Sequence, residues 1–453
     1  MPSGPYSYTL IDPPNSIDTG TSRNVNVGQV NDLGQVLGTV SGNAGSHPFL
    51  YSDGGYTSLD VPGATTTIAT QLDNAGQIIG RYNDAAGSHS FLYQNGNYAE
   101  IAVPGAAFTT ALQTSGAGKI LAEYFDSNGL HPFIDDNGSY TALSVPGATS
   151  TIVRTSSAVG GNALSAINDA DQVIGTYVDA AGGHSFLYSD GSYATLAVPG
   201  ASSTVATQIN NAGQVLGTYT MLSDSGPSST RSFVYSDGAY TLIAVPGATT
   251  TTAGQINDAG QIAGTYSDQT GNHLFLDTGG TYATIDPPPG PPPADGGLFA
   301  LSVPPAPLVP FPLSVSFTQL SNAGDVLGTY YGSGNPPFGG SKPFLYSDGT
   351  STDVSVPGAA TTTALRINDL GQLAGSFSDG TATHAFLATP ISADAMQTSL
   401  LAALLPAGAD ASALVAATPD ITNAGAGMLT PTGDNTGPNP PLVLLNGQGS
   451  FAP

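Results

Sequence analysis

One phrase recurs along this 453-residue chain and limits what it can fold into more than any other feature. It reads Val30-Asn31-Asp32-Leu33-Gly34-Gln35-Val36-Leu37-Gly38-Thr39 and returns as Leu72-Asp73-Asn74-Ala75-Gly76-Gln77-Ile78-Ile79-Gly80. Anchored on the glutamine, the copies fall at Gln35, Gln77, Lys119, Gln172, Gln214, Gln261, Asp325 and Gln372. The spacings are 42, 42, 53, 42, 47, 64 and 47, so the base period is 42 with insertions in four of the seven intervals. The third of the eight copies, residues 114–124, departs furthest. Such a period marks an array of small units that bury their apolar faces only against one another.

Within one unit, Gln208-Ile209 meets the turn Asn210-Asn211-Ala212-Gly213, and Gln214 to Tyr219 follows. Then come Ser232-Phe233-Val234-Tyr235, the turn Ser236-Asp237-Gly238, and Tyr240 to Val245, closed by Pro246-Gly247. These are four extended runs between Asn/Asp/Gly turns, and Asp-Gly is a strong hairpin signal. Four strands per unit at this period predict the blades of an all-β propeller. Nothing in the repeats has the 3.6-residue periodicity of a helical solenoid.

The last unit stops after its third strand, Phe386-Leu387-Ala388, while the chain begins with an orphan fourth strand, Tyr8-Thr9-Leu10-Ile11-Asp12-Pro13-Pro14. Donating that strand to the last blade would close the ring and hide two sheet edges. The expectation is an eight-bladed β-propeller over residues 6–388, four antiparallel strands per blade, ring closed by the N-terminal strand. Seven blades is the alternative, if the third copy is absorbed elsewhere. Residues 287–312 read as a Pro-rich surface insertion. Residues 389–453 read as an Ala/Leu/Gly/Pro-rich tail with a short helix at about 393–405.

Composition narrows the function. Net charge is −25 with only seven Lys and Arg, too few to neutralise many phosphates, so nucleic acid is excluded as a partner. No apolar run reaches bilayer-spanning length. There is no Cys, hence no disulfide, thiolate metal site or Cys nucleophile, and no Trp for sugar stacking, although 20 Tyr are present. Thirty of the 32 acidic residues are Asp, a turn and cap former; Glu100 and Glu123 are the only glutamates.

The most informative position precedes the third strand: His47, His89, His131, His184, Arg231, His273, Lys342 and His384. It holds all six histidines, with a Phe two residues later in every unit, and in five units an Asp five residues earlier (Asp84, Asp126, Asp179, Asp268, Asp379). Facing each other across a hairpin, Asp and His could act as acid and base or bind metal. Arg and Lys in the same place suit a hydrogen-bond donor and defeat a metal ligand, so the architectural reading is preferred. Asp in the turns leaves weak surface calcium binding open, but one or two carboxylates per turn do not make a calcium site. No metal or other cofactor is implied. Near the expected axis stand Gln29, Gln71, Gln113, Gln208, Gln255 and Gln319, interrupted by Ala166 and Arg366. Arg366 there could anchor a small anion in a polar channel, and Arg81 and Glu123 could pair between neighbouring blades. Hydrolase, phosphate-loop and zinc-protease motifs are absent.

These repeats resemble the bacterial extracellular HAF-repeat family, on His384-Ala385-Phe386, the sister His-Ser-Phe and His-Pro-Phe tripeptides, Ile256-Asn257-Asp258-Ala259-Gly260-Gln261-Ile262 and Val198-Pro199-Gly200-Ala201. The resemblance implies a secreted or cell-surface bacterial protein and carries no activity to any residue. Met1-Pro2-Ser3-Gly4-Pro5 lacks the basic and apolar regions of a cleaved leader, so export by another route is expected. The reading is a binding or interaction module presenting propeller loops to a glycan or protein ligand. Its alternative is an extracellular polysaccharide hydrolase or lyase with a His/Asp site near the axis.

Overall fold

The computed structural model describes residues 6–14, 17, 24–43, 45–153, 166–222, 229–288, 314–331 and 341–391. The chain divides into two units, Met1–Pro390 and Ile391–Pro453. The expected tail helix and nearly all of the Pro-rich insertion fall outside the described residues.

The first unit is a ring of eight four-stranded antiparallel sheets, a β-propeller. Blade 1 is Asn24–Val30, Val36–Gly42, Gly45–Ser52 and Gly55–Ser58, hydrogen-bonded in chain order. Blades 2 to 7 begin at Thr66–Leu72, Phe108–Thr114, Ser150–Ile152, Ser203–Ile209, Thr250–Ile256 and Ser314–Leu320. Blade 8 takes Thr361–Ile367, Leu373–Ser378 and Thr383–Pro390 from the end of the ring and Tyr6–Ile11 from its start. Leu10 lies opposite Phe386 and Ile11 opposite Ala385 in that closing pair. The third copy folds as a full blade, so the number is eight.

First strands meet in succession from blade 5 to blade 8 and on to blades 1 and 2, so the first strand is the one that lines the axis. Antiparallel alternation then fixes the two faces. The Asn-Asp-x-Gly turns and the third-to-outer turns lie at one end; the His-bearing hairpins and the Val-Pro-Gly connections lie at the other.

Local chemistry explains each corner. In the two-residue turns before the outer strands, Asp53, Asn95, Asn137, Asp190, Asp237 and Asp348 have φ of 48–52°, each followed by a Gly at positive φ. Asn, Asp and Gly tolerate that left-handed pair, whose twist matches antiparallel strands. Val-Pro-Gly-Ala makes the connection between blades, with Ala64 N donating to Val61 O at 3.0 Å. Proline presets the first corner of this turn and Gly63, at φ 85°, supplies the second.

The apolar core lies between blades. Phe49, Phe91, Phe133, Phe186, Phe233, Phe275, Phe344 and Phe386 are all at most 1 % exposed. Phe49 packs with Ile11, Ala374 and Leu387 of blade 8, and Phe344 with Leu274 and Leu276 of blade 6. Burying each ring contributes roughly 1.5–3 kcal/mol. The second strand opposite each Phe carries Gly, except for Ala122 in blade 3. A Cβ at Gly217 would stand 2.4 Å from the Val205 carbonyl oxygen and 2.5 Å from the Phe233 ring. Gly217→Ala is therefore expected to destabilise the ring by about 1–3 kcal/mol through overpacking. Gly183→Ala, whose Cβ would meet nothing within 4 Å, should leave the thermal midpoint nearly unchanged; equal shifts for the two would contradict this packing.

Candidate functional site

Each histidine sits at the start of a third strand, and the rings of His89, His131, His184, His273 and His384 pack against the aromatic residue opposite on the second. Tyr82 and His89 stack with centroids 4.9 Å apart, Tyr124 and His131 at 4.9 Å, and Tyr266 and His273 at 5.0 Å. The expected Asp–His pairs form: His89 Nε2 to Asp84 at 3.1 Å, His131 to Asp126 at 2.9 Å, His184 to Asp179 at 3.2 Å, and His384 to Asp379 at 3.3 Å. His273 lies 3.4 Å from Asp268 and 2.9 Å from the Thr270 hydroxyl. His47, whose hairpin has no such Asp, pairs through Nδ1 with Asp60 at 2.9 Å.

The aspartates are loop caps. Asp84 accepts the backbone N–H groups of Ala86 and Gly87, and Asp379 those of Thr381 and Ala382. Those donors, more than the imidazoles, hold Asp84, Asp126 and Asp179 below the ordinary carboxylate pKa; for Asp268 and Asp379 the neighbouring threonine hydroxyl leads. Every acid that meets a histidine belongs to the histidine's own blade. Among the described residues no three His, Asp or Glu side chains gather as a metal ion would require. The histidines thus tie down hairpins rather than converging on one centre.

At the axis, a one-residue bulge in the first strand, as between Ala206 and Gln208, turns the glutamine toward the next blade. Gln208 Oε1 accepts Ile256 N–H at 3.0 Å while its Nε2 donates to Ile256 O at 3.0 Å. Gln319 does the same to Ile367, and Gln71 to Thr114. Gln29, Gln113 and Gln255 accept the amides of Leu72, Ala166 and Leu320. Arg366 continues this clasp in another form, its Nε donating to Gly28 O of blade 1 at 2.7 Å. It joins blade 8 to blade 1, so the position read as an anion anchor is engaged at the ring seam.

A second seam runs through the turns. Buried Asn210 accepts Gln214 N–H with its Oδ1, donates to Gln214 Oε1, and donates to Asn257 O of the next blade at 2.8 Å. Asn31, Asn168, Asn257 and Asn368 repeat the cross-blade bond. Next to them Asp369 N–H donates to Asp32 at 2.8 Å and Asn322 N–H to Asp369 at 2.7 Å. Burial, with Asp369 adding repulsion, raises the Asp32 pKa. The turn aspartates are thereby bonded around the ring. This seam was legible in the repeated Asn-Asp pair, but its direction was not, because the partner lies 42 to 64 residues away, or 337 where blade 8 meets blade 1.

The expected Arg81–Glu123 pair does not form. Glu123 is fully buried in the second strand of blade 3, whereas Arg81 is exposed on blade 2. Arg81 instead lines an open cleft of about 560 Å³ between blades 2 and 3, with Ser88, His89, Glu100, Phe108 and Thr110. His89 there bridges two acids, its Nδ1 lying 2.8 Å from Glu100. Phe108 is 44 % exposed and stacks on Phe125, centroids 5.4 Å apart and planes 7° from parallel. Sequence reasoning missed this site. Its signal was that a glutamate lies at 100 where the other blades carry Ser, Ala, Thr, Leu or Asp, and a Phe at 108 where they carry Thr, Ser or Asn.

No family model and no curated protein matches the chain. Among solved structures it is similar to the β-propeller domain of the trilobed protease from Pyrococcus furiosus, at 11 % identity and TM-score 0.42, covering 74 % of this chain and 99 % of that one. The acylaminoacyl peptidase of Pyrococcus horikoshii matches at 11 % identity and TM-score 0.41, over 80 % of this chain and 58 % of that one. Virginiamycin B lyase from Staphylococcus aureus matches at 11 % identity and TM-score 0.33, over 84 % and 99 %.

Two outcomes follow from the geometry. Gln208→Ala removes both bonds to Ile256 and should cost about 1–3 kcal/mol, at roughly 0.5–1.5 kcal/mol per bond, in denaturant unfolding. Gln208→Glu should not restore it, since one carboxylate oxygen then faces the Ile256 carbonyl. The second concerns pH. His89 titrates near 6.5 when unfolded, and its pKa is raised in the ring, first by the Glu100 hydrogen bond and then by Asp84. Its contribution is complete below about pH 6.5 and is lost as pH rises through the raised value. Asp84 contributes in the opposite sense, fully above about pH 3.9 and lost as pH falls through its lowered value. NMR titration of Glu100→Gln should bring the His89 pKa down, and an unchanged value would contradict the pairing.

Proposed function

We propose that the ring is a secreted or cell-surface binding module that presents its histidine-face hairpins and Val-Pro-Gly connections to a glycan or protein ligand. The observation carrying this is the distribution of the ionisable groups: each His–acid pair caps a hairpin inside its own blade. An enzyme acting by acid–base chemistry needs one distinctive constellation around a reacting bond, and five Asp-capped hairpins repeated around the ring supply separate platforms instead. The resemblance to HAF repeats supports the extracellular location. Among the described residues no helix is long and apolar enough to cross a membrane.

The full chain should retain at least one soluble polysaccharide or surface protein on an immobilised column and release it with its chain length unaltered. Polysaccharide shortened during a day's incubation, with new reducing ends or unsaturated ends that disappear in His131→Gln or His184→Gln, would replace this reading by the hydrolase or lyase alternative.

A further inference from the structure

The eight gaps between blades are built alike, so a gap that departs from the others in several side chains at once needs a reason other than folding. The gap between blades 2 and 3 does so. Arg81 stands where the other second strands carry Thr, Ser or, in blade 3, Glu; Glu100 and Phe108 are the further departures. All three line the cleft between these blades.

Two of these departures run against what the fold wants, and the third is only partly used by it. Phe108 is a large apolar ring left 44 % exposed, and Phe125 covers one of its faces. Arg81 is exposed and, among the described residues, makes no ion pair or side-chain hydrogen bond. Glu100 is held by His89 yet keeps 47 % of its side chain exposed. A flat aromatic platform beside an unpaired guanidinium and a carboxylate acceptor suits a ligand with three properties. It has a ring with an apolar face to stack on Phe108, an acidic group for the bidentate fork of Arg81, and hydroxyls to donate to Glu100. The cleft volume lies within the range of small-molecule sites.

We propose that this cleft binds a saccharide bearing an acidic group, a uronate carboxylate or a sulfate ester; the inference rests on the reading of the ring as a glycan-binding module. The chain's charge of −25 further selects the ligand. Its field repels a dense polyanion, while one acidic sugar in an otherwise neutral chain meets Arg81 within the screening length of about 8 Å at physiological salt.

The test titrates the full chain with glucuronoxylan oligosaccharides and with sulfated galactan oligosaccharides, each beside its carboxyl-reduced or desulfated counterpart, and with heparin as the dense polyanion. Wild type should bind one acidic oligosaccharide at least tenfold more tightly than its neutralised counterpart and than heparin. Arg81→Gln and Phe108→Thr, the latter installing the residue other blades carry, should each weaken binding tenfold or more. Arg231→Gln on blade 5 should bind as wild type. Melting curves accompany each variant, and if Phe108→Thr does not fold, the exposed Arg81→Gln decides. Binding unaffected by both cleft variants would place the ligand elsewhere and overturn the cleft while leaving the module standing. Equal binding of neutral counterparts, or preference for heparin, would overturn the acidic-sugar assignment. No retention of any oligosaccharide by wild type would remove the glycan half of the proposed function together with the cleft.

Discussion

The ring depends on one constraint: a four-stranded blade cannot satisfy its own inner edge. The first strand of each blade faces the axis with backbone groups that its second strand does not pair. A bulge places Gln208 so that its amide closes both groups of Ile256 in the next blade. A side-chain amide is the residue type for this, since it carries a donor and an acceptor side by side. Repeated around the ring except from blade 4, where Ala166 takes the glutamine's place, the clasp does for blade-to-blade contact what ladder bonds do within a blade. Arg366 completes it at the closure, where Tyr6–Ile11 joins the last sheet.

With the seams assigned, the repeated polar residues lose their claim to chemistry. His131 and Asp126 hold a hairpin; Asn210 and Gln214 hold a turn to its neighbour. Function is then sought where one blade departs from the rest. Arg81 and Phe108 leave polar and apolar surface unused by the fold, Glu100 stays half exposed beside His89, and all three meet at one gap.

The architecture was legible in the sequence because a 42-residue period, Asp-Gly turns and an orphan N-terminal strand are local or simply counted. Strand order, eight blades and the closing strand all followed from them. The Asp84–His89 pairing was legible for the same reason, as the two residues face each other across one hairpin. Cross-blade partners were not, because a period says which residues are equivalent and not which of them touch. Glutamines 29 to 319 read as a polar channel lining, whereas each accepts a backbone N–H of the next blade. Arg81 and Glu123 hold equivalent positions on neighbouring blades, so their side chains enter successive gaps instead of facing each other, one exposed and the other buried.

The clasp can be read directly by native-state hydrogen exchange. The amides of Leu72, Thr114, Ile256, Leu320 and Ile367 donate to glutamine side chains of the preceding blade, so their protection reports the seams between blades rather than the sheets within them. The account predicts that all five exchange slowly, with one common opening free energy equal to that of global unfolding. Exchange of these amides at rates near those of an open loop, while neighbouring second-strand amides stay protected, would show that the blades are held by apolar packing alone and would contradict it.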